Sequence, residues 1–279
     1  MLITSVFLRL RWYVLVPVVV PKPMPPVRWK RAKRVAERVQ RSFPARLFVG
    51  AVFGGGIPFR GTRIRPATRF AVEGPMLLAG NYERWEINFV HRYLPPDQQV
   101  VELGSSIGGN SCQIAMRLAP GVPMTCVEAN PDLIPVLREN LARNHPGRRV
   151  EVIHAMVADT VGMGELQVDR STLRSSRTVG CRTVAVPALR LADVVSRIAP
   201  GPYSLVCDIE GAEAVFLGNP GGVLDRCTCI IMEGHATSHE GRDFGLEEVL
   251  AMPLRLRGWR QVDRYGAVAA YLREAPSEP

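Results

Sequence analysis

From residue 99 onward, short apolar runs alternate with segments of helical periodicity, and that alternation constrains the fold more than any other feature. The runs are QVVEL (99–103), PMTCVEA (123–129), VEVIHA (150–155), YSLVCD (203–208) and CTCIIMEG (227–234). SCQIAMRLA, PDLIPVLRENLARN, LRLADVVSRI, GAEAVFLGN and FGLEEVLAM read as the helices between and after them, with Pro131 well placed near a helix start. WRQVDRY and VAAYLRE, parted only by Gly266 and Ala267, read as a closing β-hairpin. Strands joined through helices pair in parallel, so the expected fold is α/β: a doubly wound sheet, mostly parallel, with a C-terminal antiparallel hairpin. At 47% hydrophobic and 22% charged, the chain can bury such a core and is not a disordered protein.

The formal charge of +9 is unevenly placed. Residues 1–70 hold 15 basic side chains and a single acid, Glu37, while the remainder holds 20 basic and 25 acidic residues. The body is mildly acidic, and the basicity belongs to an N-terminal arm. We therefore expect two parts, an arm over 1–70 and a catalytic domain over 71–279. Within the arm, WYVLVPVVV (12–20) is apolar but too short to span a bilayer, and Pro17 breaks it. In VRWKRAKRVAERVQRSF, Trp29, Ala32, Ala36, Val39 and Phe43 recur at helical steps with the basic residues mostly elsewhere, which predicts a basic amphipathic helix. Three readings stay open for it: peripheral docking of residues 1–45 on an anionic membrane, packing on the core with a solvated basic face, or RNA binding. The cysteines (Cys112, Cys126, Cys181, Cys207, Cys227, Cys229) form no C-x-x-C pair and mostly sit in apolar runs. They read as free buried thiols of a cytoplasmic protein, not as a zinc site.

The first run ends in Glu102 and passes into Gly104, Ser105, Ser106, Ile107, Gly108, Gly109 and Asn110. Glycines here let the backbone approach a ligand at a helix N-terminus. The pattern is E-x-G-x-x-x-G rather than the G-x-G-x-x-G of a dinucleotide site. Glu128 ends the second run, where an acid accepts hydrogen bonds from ribose hydroxyls. Two acids so placed suit S-adenosylmethionine better than a nicotinamide dinucleotide, because that ligand has a ribose and an ammonium but no pyrophosphate. Glu102 would balance the ammonium. The fourth run passes into Asp208-Ile-Glu210-Gly211-Ala212-Glu213, and three acids in six residues crowd like charge unless a hydroxyl, a metal, a sulfonium or an Arg offsets it. The plainer alternative has Glu213 capping the next helix and Glu210 solvated.

VELGSSIGGNS, CVEANP, LVCDIEGAE and IIMEGH, in this order and spacing, resemble the FkbM family of class I methyltransferases, and NYERWE (81–86) resembles the Tyr-Glu element which that family carries before its first strand. The likeness covers roughly residues 75–255. It implies a seven-stranded Rossmann-like sheet and S-adenosylmethionine-dependent O-methylation of a hydroxyl on a sugar, glycolipid or secondary metabolite. By this resemblance Glu102, Gly104, Ser105, Gly108 and Asn110 form the cofactor loop, Glu128 and Ala129 hold the ribose, and His154 and Ala155 lie along the adenine. Asp208 and Glu210 face the methyl group, and Tyr82 and Glu83 face the acceptor.

Methyl transfer to an alcohol needs alignment and a base for the departing proton. Asp208 is the first candidate and His235 the second, with Glu233 two residues earlier on the same strand face. Asp208, Glu210, Glu233 and His235 also offer ligands for a divalent metal, although the sequence does not fix their geometry. Residues 156–187 interrupt the sheet pattern. ELQVD and RTVAVPA are expected to pair around STLRSSRTVGC as a flap whose Ser175 and Ser176 touch a polar acceptor. Two other classes stay open, an RNA methyltransferase using the basic arm and a non-catalytic module that keeps the fold. Base-amine methyltransferases resemble one another in an Asn/Asp-Pro-Pro-aromatic turn where this chain has DIEG, so a nucleic-acid substrate is disfavoured.

Overall fold

The computed structural model describes residues 38–168 and 182–274. In chain order these form α1 (Phe43–Phe53), the short hairpin β1 (Ile57–Phe59) and β2 (Thr62–Ile64), α2 (Glu73–Leu78) and α3 (Arg84–Tyr93). The alternating part follows: β3 (Gln99–Leu103), α4 (Gly109–Arg117), β4 (Met124–Glu128), α5 (Ile134–Asn144) and β5 (Val150–His154). Next come β6 (Met156–Val157), β7 (Gly162–Val168), β8 (Arg182–Leu189), α6 (Leu191–Val195), β9 (Tyr203–Cys207) and α7 (Glu213–Gly218). The chain continues through β10 (Cys227–Glu233), β11 (Thr237–His239), β12 (Arg242–Phe244), α8 (Leu246–Ala251), β13 (Trp259–Tyr265) and β14 (Val268–Arg273).

Seven strands make the central sheet in the order β13-β14-β10-β9-β3-β4-β5. The five from β10 to β5 are parallel, and β14 runs antiparallel to both β10 and β13. This is the doubly wound, mostly parallel sheet that the alternation and the resemblance imply. Every residue of β3, β4 and β9 is buried, as both-face burial of a parallel sheet requires. Val100 packs on one side with Ile87 and Val90 of α3 and Leu137 of α5, while its neighbour Val101 packs on the other with Val194 of α6 and Phe216 of α7. The winding reverses between β3 and β9, so the crevice for a ligand opens beyond their carboxyl ends.

The boundary expected at residue 70 falls inside the packed body. Ile57, Phe59 and Ile64 are buried in the same core as Val100, and the backbone amides of Arg63 and Arg65 donate to the side chains of Asn144 and Asn140 on α5. Strands of three residues are too short to show a period, which hides this hairpin from the sequence. Residues 1–37, with the apolar stretch 12–20 and most of the expected basic helix, lie outside the described residues. The interruption after β5 is a three-stranded sheet, β6-β8-β7, in which β7 and β8 pair antiparallel as the expected hairpin. Its tip, with Ser175, Ser176 and Cys181, lies outside the described residues. Among the described residues the other five cysteines are buried free thiols, and no helix is long and apolar enough to cross a membrane.

Candidate active site

A cavity of about 200 Å³ opens beyond the carboxyl ends of β3, β4 and β9. Its floor is set by Gly104, whose φ of +82° is left-handed and whose missing Cβ leaves room for the carbonyl oxygen of Asp208. No other residue type fits there without pushing the two loops apart. Gly108, at φ +83°, opens α4 against the Leu137 side chain. Gly104 is thus required by close approach of backbone to backbone, and Gly108 by its left-handed conformation beside a packed side chain.

At one end of the cavity stands Glu128. Its Oε2 accepts from the Ser106 amide at 2.6 Å and its Oε1 from the Asn130 amide at 2.7 Å. Both oxygens are aimed and each keeps a lone pair for a ligand hydroxyl. Burial nevertheless pushes this carboxyl above its ordinary range, so a donor brought by a ligand is welcome. Ser106 is held in a left-handed conformation, φ +49°, and its Oγ lies 3.4 Å from the buried Tyr82 hydroxyl. Ala129 and Ala155 line the wall beside it, and the His154 ring bonds the Ala129 carbonyl at 3.1 Å. Leu166 and Val168 of β7 close the cavity from the side, so the insertion reaches the site.

At the other end, carboxylates gather. Asp208 lines the cavity with Oδ1 buried and without a partner. Burial first, and then the nearby Glu233, push its pKa up to about 8 despite the opposing effect of His235. Glu83 and Glu86, from the start of α3, and Glu233, at the end of β10, are likewise raised, first by burial and then, for Glu83 and Glu86, by the acids around them. His235 answers this charge. Its Nδ1 lies 3.1 Å from Oε1 of Glu213, and its Nε2 lies 3.8 Å from Asp208 Oδ1 and 3.7 Å from Glu210 Oε2. Burial alone would favour the neutral ring, but the bond to Glu213 and the facing carboxylates outweigh it and raise the pKa to about 9. These contacts favour the imidazolium, a form suited to balancing the neighbouring carboxylates rather than to taking up a proton. Asp208, Glu210 and His235 each offer a ligand atom within 4.8 Å of the others, a spacing open to a divalent cation.

Of the expected cofactor residues, Gly104, Glu128, Ala129, Ala155 and Asp208 line the cavity, as do Tyr82, Glu83 and Glu210. Glu102 stands behind the loop, buried, where Ser111 Oγ donates to its Oε2; Ser105, Gly108 and Asn110 are likewise backing. Five described residues other than glycine have left-handed backbone, and three of them, Glu83, Ser106 and Glu210, line this cavity. Strain gathered at one place marks a functional site. Sequence reasoning missed Ser106, whose amide aims Glu128, and Glu86 as a member of the cluster. Glu86 follows Glu83 by one helical turn, which was the available signal.

No family model matches the chain. A curated relative, "Probable cobalt-precorrin-6B C(15)-methyltransferase (decarboxylating)" of Methanobrevibacter smithii, is 36% identical over 59 residues, which is 21% of this chain and 30% of that protein. The match thus spans less than a third of the relative's length. Among solved structures, the SAH-bound Podospora anserina methyltransferase PaMTH1 is similar over 92% of this chain and 99% of its own, at 10% identity and a TM-score of 0.46. The O-methyltransferase TomG of Streptomyces achromogenes, involved in tomaymycin synthesis and solved in complex with SAM, covers 68% of this chain and 80% of its own, at 12% identity and a TM-score of 0.44. Likenesses of this size say nothing about acceptor or mechanism.

Proposed function

We propose that this protein is an S-adenosylmethionine-dependent O-methyltransferase of the FkbM type, acting on a hydroxyl of a sugar, glycolipid or secondary metabolite. One observation carries the reading. The described cavity wall contains four carboxylates, Glu83, Glu128, Asp208 and Glu210, and neither Lys nor Arg. Such a wall repels a pyrophosphate and attracts a nucleoside that bears positive charge. The residues fit S-adenosylmethionine: an aimed carboxylate for the ribose, a narrow apolar wall for the base, and crowded acids for the cationic end. The buried Asp208 Oδ1, on the cavity wall, lacks a donor that a ligand would supply.

The cofactor supplies an electrophilic methyl group. Glu128 fixes its ribose, and Tyr82 with the β7 edge keeps water from that end. Asp208 takes the proton of the acceptor hydroxyl as the C–O bond forms. Only its ionised form serves as base, and because its pKa is raised to about 8 the rate is expected to rise as pH climbs toward and through 8. The His235 imidazolium, held by Glu213, keeps the neighbouring acids from repelling the nascent charge. A polyanionic acceptor such as RNA would meet like charge here, and DIEG lacks the turn that base-amine methylation uses.

The test is transfer from methyl-labelled S-adenosylmethionine into fractionated host extract. Label is expected in polar metabolites or lipid-linked glycans. Label in RNA overturns the acceptor class, and absence of label everywhere, with cofactor binding demonstrated, makes the protein a binding module.

A further inference from the structure

We infer that the outward face of α1 is a docking surface for a lipid bilayer carrying anionic headgroups. Helix α1, FPARLFVGAVF, starts where Ser42 accepts from the Ala45 amide and Pro44 sits in the first turn. Its orientation on the body is fixed. Val49 and Gly50 are buried, and Gly50 lies so close to the Arg69 carbonyl and the Phe70 ring that a side chain there would collide. Arg69 Nε donates to the Gly50 carbonyl at 3.0 Å, and Arg46 Nε donates to the Phe70 carbonyl at 2.7 Å, which folds the one charged side chain of the helix back toward the protein.

At about 100° per residue, the opposite half of the circumference carries Phe43, Pro44, Leu47, Phe48, Ala51 and Val52. All six are exposed, and none is polar. Phe43 is 64% exposed, Phe48 62%, Val52 56% and Leu47 44%. One turn earlier, Val39 is 59% exposed between the exposed Arg38 and Arg41. A surface helix of a water-soluble body turns its apolar stripe inward, and this one turns it outward. No described residue covers the face, and a contiguous apolar patch of this kind marks an interaction site.

Charge selects the occupant. Residues 28–41 hold Arg28, Lys30, Arg31, Lys33, Arg34, Arg38 and Arg41 against one acid, Glu37. An apolar helix face with exposed Arg38 and Arg41 at its start, preceded in the sequence by a basic run, is the composition that inserts below the headgroups of an anionic membrane. The acidic remainder of the chain would be repelled from the same surface, so contact is confined to the α1 end. A second copy of the chain fits less well. An 11-residue helix is about 16 Å long, and half of its surface falls short of the roughly 800 Å² per partner of a stable dimer.

The test is flotation of the full chain with vesicles of phosphatidylcholine, with and without phosphatidylglycerol. The protein is expected to float only with the mixed vesicles. Phe43→Asp with Phe48→Asp is expected to lower the bound fraction about tenfold or more, with melting temperature and sedimentation unchanged. Arg38→Glu with Arg41→Glu is expected to weaken binding to the mixed vesicles, again without a change in melting. The inference fails if the native chain stays with the buffer. It fails equally if the double Asp variant floats as before, or melts several degrees lower because the chain itself covers the face. A native dimer that the Asp pair splits would hand the face to a second copy.

Discussion

The two ends of the cavity differ in how complete they are. At the Glu128 end, both carboxylate oxygens already accept backbone amides, from Ser106 and Asn130. At the Asp208 end, a buried oxygen has no hydrogen-bond donor, the carboxylates of Glu210, Glu213 and Glu233 bear on it, and one histidine answers them. The first end needs only hydroxyls to finish its hydrogen bonding, and so reads as a recognition pocket. The second holds more negative charge than its described surroundings balance, and so reads as the place where positive charge and a mobile proton belong. Binding and chemistry are separated along one crevice, and perturbing either end should leave the other largely intact.

Removing the charge at the reactive end tests this most severely. Asp208→Asn keeps the shape but not the proton acceptor, and is expected to lower kcat by about 100-fold or more. Cofactor affinity should change far less, as read by calorimetry alongside single-turnover kinetics. An Asn variant with native kcat removes Asp208 as the base. The complementary change, Glu128→Gln, keeps one acceptor but turns an NH₂ toward the backbone amides or the ribose. It is expected to weaken cofactor binding by about 10-fold or more while kcat at saturation stays near native. Equal losses in kcat and affinity from both variants would erase the division between the two ends.

The division was partly legible in the sequence, for reasons that particular residues show. Runs such as VEVIH and CTCIIME carry their own strand signal, and Gly104, Glu128 and Asp208 sit at strand ends, where the alternation alone places a ligand. The left-handed Gly104 is written into the sequence because only glycine fits its approach to Asp208. What stayed hidden depends on tertiary contact. Glu213 is visible as the last acid of D-x-E-G-x-E, but its bond to His235 spans 22 residues. Glu86 reads as a surface acid of a helix until α3 is laid against β10 and β14. The outward face of α1 was legible only at its start, where Val39 and Phe43 belong to the basic amphipathic pattern; beyond Phe43 an apolar helix face is ordinarily assigned to the core.

Glu213 sharpens the comparison at a smaller scale, because it acts through His235 rather than on a ligand. It is fully buried and also accepts the Ile209 amide at 3.1 Å. Glu213→Gln retains a hydrogen bond to the ring but removes the charge that stabilises the imidazolium. The His235 pKa is expected to fall from about 9 toward its ordinary value, measured by NMR titration of the ring proton. The rate is expected to drop about tenfold, with the pH profile displaced toward acid. A variant that loses stability but keeps the native titration would make Glu213 a structural residue only.

The smallest expected effect is on stability, and its sign follows from the two ends together. His235 has a folded-state pKa raised to about 9, so its stabilising contribution is fully present below its unfolded value and disappears as pH climbs through 9. Asp208 works in the same direction. Its folded-state pKa of about 8 lies above its unfolded value, so the folded protein keeps a proton that the unfolded chain releases, and stability declines across that interval. Melting temperature should therefore fall by roughly 5 °C between pH 6 and pH 9. Glu128→Gln should leave most of that slope in place, whereas Asp208→Asn should flatten it. Saturating S-adenosylmethionine should flatten it too, because a bound cation takes over the balancing that the His235 proton performs. A native slope that the cofactor leaves untouched would mean that the crowded acids balance one another through protons alone, and that the cationic end of the ligand lies elsewhere.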